Sequence, residues 1–173
     1  MKIAIIGTGG VGGYFGGKIA NAGYDVTFVA RGEHLKAIRE KGLRIKSIAG
    51  NFSVRNAKAT DEIKNIGKVD LVLLGVKAWQ VTDVARQLHG VMDDHTTVLP
   101  LQNGVMAAQE LAVQLDKKNI MGGLCRIISK IEAPGIIRHF GVEPFIAFGE
   151  LDDQKTDRTT RIKALFDQAH VPY

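Results

Sequence analysis

Gly7-Thr8-Gly9-Gly10-Val11-Gly12 carries three glycines at the spacing G-x-G-x-x-G. The apolar run Ile3-Ala-Ile-Ile6 leads straight into it, and a helix-forming stretch follows at once. In that context the pattern predicts a site for the pyrophosphate of a dinucleotide. Gly7 lets the chain turn sharply off a strand, Gly9 lets the backbone approach the pyrophosphate, and Gly12 lets the helix pack against the strand. The ligand's charge then meets free N–H groups and the positive dipole end of the helix. Gly7, Thr8, Gly9, Gly10, Val11 and Gly12 are therefore assigned to cofactor binding. The alternative is an ordinary glycine-rich turn.

Three further residues stand at predicted strand ends, where such folds bind ligands. Arg31 follows the apolar run Val26-Thr-Phe-Val29, about 20 residues past the glycines. An NAD site usually has Asp or Glu there for the ribose 2′-OH; an arginine fork instead holds a 2′-phosphate. We therefore expect NADP over NAD, with Glu33 as a nearby opposing charge and a solvated Arg31 as the alternative. Lys77 follows Val69–Val76, the longest apolar run. It either neutralises a second phosphate oxygen beside Arg31 or simply opens a helix. Asn103 precedes Gly104 at the end of another strand. Asn-Gly is a common turn pair, but a carboxamide at that place could orient a nicotinamide and bind a substrate oxygen. Trp79 is read as packing, and Arg126 and Lys130 as surface charges. The five histidines show no metal-ligand spacing, and Cys125 has no paired ligand, so no metal is expected.

These residues need a scaffold of alternating strands and helices. Strands are predicted at 2–6, 25–29, 69–76, about 96–100 and about 119–126, with helices at about 10–22, 32–41, 79–90, 105–115 and 156–169. Gly23 and Gly42 are natural helix stops. Residues 43–54 read as a hairpin or two edge strands about Ala49-Gly50-Asn51, and 60–66 as a short helix. Cys125–Ile131, Ile136–Phe140 and Phe145–Phe148 read as antiparallel strands added to the sheet edge. The fold class is α/β: a doubly wound, Rossmann-type, mainly parallel sheet with helices on both faces.

A chain of 173 residues allows one good-sized domain, taken as 1–173. Hydrophobic content of 45% and charged content of 24% are ordinary for a globular protein. No apolar run reaches the ~20 residues needed to span a bilayer. Ile3–Ile6 is too short for a targeting core, so a cytoplasmic protein without a membrane partner is expected. The lone Cys125 excludes an internal disulfide. The net charge of +5 comes with only 6% aromatics and no long basic run, so nucleic acid is not the expected partner.

Lys2-Ile-Ala-Ile-Ile-Gly-Thr-Gly-Gly-Val-Gly-Gly13, Val29-Ala-Arg31, Lys77-Ala-Trp-Gln80 and Gln102-Asn-Gly104 match, in order and spacing, the ketopantoate reductase (2-dehydropantoate 2-reductase) family, which the whole chain resembles. The resemblance implies NADPH-dependent reduction of 2-dehydropantoate to (R)-pantoate, a step toward pantothenate and coenzyme A. It implies pyrophosphate binding by Gly7–Gly12, adenosine-phosphate binding by Arg31 and Lys77, and contact of Asn103 with cofactor and substrate. The family's general-acid lysine lies on the first helix of a second, all-helical domain, with a substrate-binding glutamate further along. Both are expected beyond Tyr173, so no catalytic residue is assigned within this chain. Oligomerisation of the full-length enzyme stays open. Two other readings remain: a paralogue acting on another 2-oxo acid, and a dinucleotide-sensing regulatory domain without catalysis.

Overall fold

The computed structural model describes residues 1–173. In chain order the elements are β1 (Lys2–Ile6), α1 (Gly10–Asn21), β2 (Asp25–Val29), α2 (Gly32–Lys41), β3 (Leu43–Ser47), β4 (Phe52–Val54), β5 (Lys58–Thr60), β6 (Leu71–Leu74), α3 (Val81–Leu88), β7 (Thr97–Pro100), α4 (Ala107–Ala112), β8 (Gly122–Arg126), β9 (Ser129–Ala133), β10 (Ile136–His139), β11 (Phe145–Gly149) and α5 (Asp157–Gln168). Single turns of 3-10 helix cover Ile63–Asn65, Ala78–Gln80 and Lys117–Asn119.

Five parallel strands form the central sheet in the order β5-β2-β1-β6-β7. The chain runs outward from β1 through β2 to β5, then returns to β6 and β7 on the other side. The order reverses between β1 and β6, which is the switch point where such sheets bind ligands. Both faces are buried, as a parallel sheet requires. Ile3, Ile5, Leu71 and Leu73 point to one face, where they meet Phe15, Ile19 and the α5 residues Ile162, Leu165 and Phe166. Ala4, Ile6, Val72 and Leu74 point to the other, where Val84 and Leu88 of α3 and Leu111 of α4 cover them.

A second sheet, β4-β3-β10-β9, covers the outer side of α1. Here β3 and β4 form the expected antiparallel hairpin, while β3 runs parallel to β10. The helix is therefore pinched between two sheets. A Cβ at Gly16 would lie 2.6 Å from Ile5 Cγ1 of the central sheet, and one at Gly17 would lie 2.7 Å from Ile45 Cδ1 of the second. Side chains at these positions would hold the sheets apart, which explains the glycine content of α1 beyond the dinucleotide motif.

The fold class agrees with the sequence reading, including the added antiparallel strands, but their placement differs. Cys125–Ile131 is not one strand. It breaks after Arg126, and β8 pairs with β11 while β9 pairs with β10 in the second sheet. The strand expected at 119–126 joins the central sheet by a single bridge, between Val98 and Ile120, and β8 packs beside β7 without pairing to it. The short helix at 60–66 shrinks to one 3-10 turn, and Lys58–Thr60 ahead of it is the outermost parallel strand. The helix at 105–115 shortens to Ala107–Ala112, leaving Val105 exposed.

One ion-pair cluster fastens α5. The Glu150 side chain is 6% exposed and accepts from Arg158 Nε (2.7 Å) and Thr156 Oγ1 (2.5 Å), while Arg158 also donates to the Ile120 carbonyl (3.2 Å). Arg158, and then the Thr156 hydroxyl, hold the Glu150 carboxyl below its usual range against an opposing burial cost. A lowered folded-state pKa stabilises above the ordinary carboxylate pKa and is lost as pH falls through the lowered one. Glu150→Gln is expected to cost about 2 kcal/mol near neutrality. The gap from the parent should close under acid, measured by urea melts at about pH 7 and about pH 3.

Candidate functional site

The turn from β1 into α1 is fixed from three sides. Gly7 adopts φ +93°, open to glycine at little cost, and a Cβ there would sit 2.9 Å from Val76 N. Both the N–H and the hydroxyl of Thr8 donate to the Val29 carbonyl, each at 2.9 Å, so the turn is tied to the end of β2. Gly75 N donates to Ile6 O at 2.8 Å, tying the end of β6 to the end of β1. No side chain caps α1, and its first turn holds no acid. The N–H groups and dipole end are thus left for an anion.

Whether a dinucleotide fits is tested by the glycines themselves. A Cβ on Gly12 would lie 2.2 Å from Gly7 O, and one on Gly10 would lie 2.5 Å from Ser129 O. A Cβ on Gly9 would meet nothing within 4 Å. Protein packing therefore accounts for glycine at 10 and 12 but not at 9, where the backbone faces open space. This is the cradle that a pyrophosphate needs.

Two cavities flank the cradle along the strand ends. One, of about 330 Å³, runs from Gly7 and Gly9 to Arg31, Asp61 and Gln87. The other, of about 290 Å³, runs from Gly9 and Gly10 to Gln102, Asn103 and Ser129. Gly9, Gly75, Val76 and Lys77 line both, so the two form one elongated groove across the switch point. The sequence-derived residues fall into it with distinct parts. Arg31 and Lys77 come together in the first cavity, where the only carboxylate is Asp61. Asn103 lies in the second with Val11. Gly12 lines neither and serves helix packing. Glu33, the opposing charge near Arg31, is outside both linings.

Sequence reasoning missed several residues. Gln102 is 7% exposed, and its Nε2 donates to Leu74 O and Val76 O, both at 2.9 Å. It thereby fixes the backbone that leads to Lys77. Its place two residues past a strand end was the available signal. Gln80 closes the Lys77 turn by accepting from Lys77 N at 3.1 Å. His34 Nδ1 accepts from Gly135 N at 3.0 Å, joining α2 to the β9–β10 turn. Burial pulls its pKa down, with the Thr8 backbone opposing, so the ring is neutral near pH 7. Trp79 corrects the packing expectation: it is 78% exposed, because the Lys77–Gln80 turn points it outward. Cys125 is buried and donates to Leu101 O, and burial pushes its thiol up to about 11. It is therefore no nucleophile at neutral pH. No helix is long and apolar enough to cross a membrane.

The family described as "Ketopantoate reductase PanE/ApbA" matches residues 3–153. A 2-dehydropantoate 2-reductase of Nostoc sp. is 34% identical over 98% of this chain and 54% of its own length. The crystal structure of a 2-dehydropantoate 2-reductase from Geobacter metallireducens GS-15 superposes with TM-score 0.92 at 33% identity, covering 99% of this chain and 56% of that one. A D-mandelate dehydrogenase bound to NADH and anilino(oxo)acetate superposes with TM-score 0.86 at 25% identity, covering 99% and 55%. The chain spans about half the length of the curated relatives it matches.

Proposed function

The chain belongs to the ketopantoate reductase PanE/ApbA family of oxidoreductases, and from that premise we propose that residues 1–173 are the NADPH-binding domain of a reductase converting 2-dehydropantoate to (R)-pantoate. The observation that carries this reading is the groove that joins Arg31 and Lys77 on one side of Gly9 to Asn103 on the other. The two cations at its Arg31 end suit a dinucleotide with a phosphorylated adenosine end. The free N–H groups of α1 take the pyrophosphate. Arg31 and Lys77 take the 2′-phosphate, supplying two charges against a dianion. Gln102 holds the Val76–Lys77 backbone, and Asn103 orients the nicotinamide and a substrate oxygen. When bound, the reduced nicotinamide supplies the hydride for the C2 carbonyl carbon. The protonated Cys125 thiol stays a bystander. The proton for the new alkoxide is assigned to a lysine of a second, helical domain, so this chain alone should bind NADPH yet reduce 2-dehydropantoate poorly.

Trp79 is the only tryptophan and lies two residues past Lys77. It points outward and lines neither cavity, so binding is read by calorimetry rather than by its fluorescence. Titration with NADPH and NADH is expected to give at least about tenfold tighter binding of NADPH, the worth of one charge-assisted contact. Equal affinities would remove the NADP reading.

A second reading has one observation in its favour, the NADH-bound D-mandelate dehydrogenase among the structural neighbours. It makes the protein an NADH-dependent reductase of another 2-oxo acid. The same titration, followed by turnover of the longer protein on a panel of 2-oxo acids, separates the two.

A further inference from the structure

We infer that Asp61 reads the base of the dinucleotide, by accepting a hydrogen bond from the exocyclic amine of adenine. This rests on the dinucleotide reading above and adds a base preference to it. Three observations lead to it. First, Asp61 directly follows β5, so it stands at the ligand edge of the sheet, one strand beyond Arg31. Neighbouring strands are ~4.8 Å apart, so Arg31 is about one spacing from the glycine turn on β1 and Asp61 about two. The phosphates lie at the turn and the sugar phosphate at Arg31. The base, the outermost part of the ligand, is then left for Asp61. Second, the cavity that both residues line is walled by apolar side chains, Val29, Ile63, Val76 and Val84, which suit a flat purine ring. Third, the Asp61 side chain is 58% exposed and held only by a loose 3.7 Å contact to Arg39, so its carboxylate is available to a ligand.

The chemistry is directional. A carboxylate only accepts hydrogen bonds, and adenine offers an N6 amine. Hypoxanthine carries an oxygen at that position, which Asp61 would repel. Gln80 lies on the same cavity wall, and its Oε1 is engaged by Lys77 N, which leaves its amide N–H groups to face acceptors of the ring.

The test is binding of four ligands to the 173-residue chain by calorimetry: NADPH, its hypoxanthine analogue deamino-NADPH, NADH and deamino-NADH. The parent should prefer adenine over hypoxanthine by at least about tenfold in both pairs. Asp61→Leu and Asp61→Ala, which both remove the acceptor, should bring that preference close to unity while leaving the NADPH-to-NADH ratio unchanged. Arg39→Ala should keep the preference, since it frees Asp61 without removing it. Retention of the adenine preference in both Asp61 variants would overturn the inference. So would a change confined to the NADPH-to-NADH ratio, which would place Asp61 at the ribose instead. Absence of binding by all four ligands to the parent would overturn the dinucleotide reading itself, and the base preference with it.

Discussion

Gly12→Ala is expected to lose about 3 kcal/mol of stability, whereas Gly9→Ala melts like the parent and yet loses NADPH. The two glycines belong to one motif but answer to different neighbours. The Cβ at 12 would stand 2.2 Å from the carbonyl of Gly7, a residue held on one side by β1 and on the other by the Gly75–Val76 backbone. Neither can retreat without opening the sheet. The Cβ at 9 would enter space that holds no protein atom within 4 Å, and that space is where the pyrophosphate is proposed to lie. Thermal melts with and without NADPH separate the cases. The parent melting point should rise with NADPH, the Gly9→Ala melting point should start equal and fail to rise, and the Gly12→Ala melting point should start lower. A Gly9→Ala protein that gains as much from NADPH as the parent would remove the cradle from the site.

Arg31→Ala should weaken NADPH by roughly 10- to 100-fold and NADH by less than about twofold. The guanidinium is exposed at the start of α2 and no ion pair inside the protein engages it. Removing it leaves no buried charge behind, so the loss is one of recognition and the melting point should hold. Because the contact faces solvent, the parent's preference for NADPH should shrink as salt rises. Lys77 shares the cavity, and Arg31→Ala should therefore retain some salt sensitivity that an added Lys77→Ala removes. Equal weakening of NADPH and NADH by Arg31→Ala would assign the side chain to a part common to both.

The N-terminal half of this site was legible because its signals are local. Ile3–Ile6, the glycine spacing and the position of Arg31 all fall within one strand-helix-strand unit, and the spacing alone carries them to one edge. The outer strand β5 was not legible. Three residues, Lys58-Ala-Thr60, are too few to show a period, so Asp61 could not be recognised as standing at a strand end. The second sheet was hidden for another reason. Its parallel β3–β10 pair joins segments far apart in the chain, and a local pattern carries no information on such pairing. Cys125–Ile131 carries Cys125, Ile127, Ile128 and Ile131 with no glycine or proline among them, which suits one continuous strand. The break arises because the chain there leaves β8 and crosses to the second sheet, bringing the Ser129 carbonyl beside Gly10. Trp79 was misjudged on residue type alone: a 3-10 turn closed by Gln80 sets its direction, and hydrophobicity does not.

The parallel pairing of β3 with β10 has a bearing on how the molecule is made. Ser47 and His139, hydrogen-bonded across that pair at 2.8 Å, lie 92 residues apart. During synthesis α1 and the β3–β4 hairpin leave the ribosome long before β10 does. Until then the hairpin has no central partner, and the outer flank of α1, destined for Ile137, stays wet. Contacts of such long range are slow to form, because the loop between them must close first. The second sheet is thus expected to close late in folding. A nascent chain halted before His139 would present its glycine-rich helix and a bare strand edge to chaperones and to other chains.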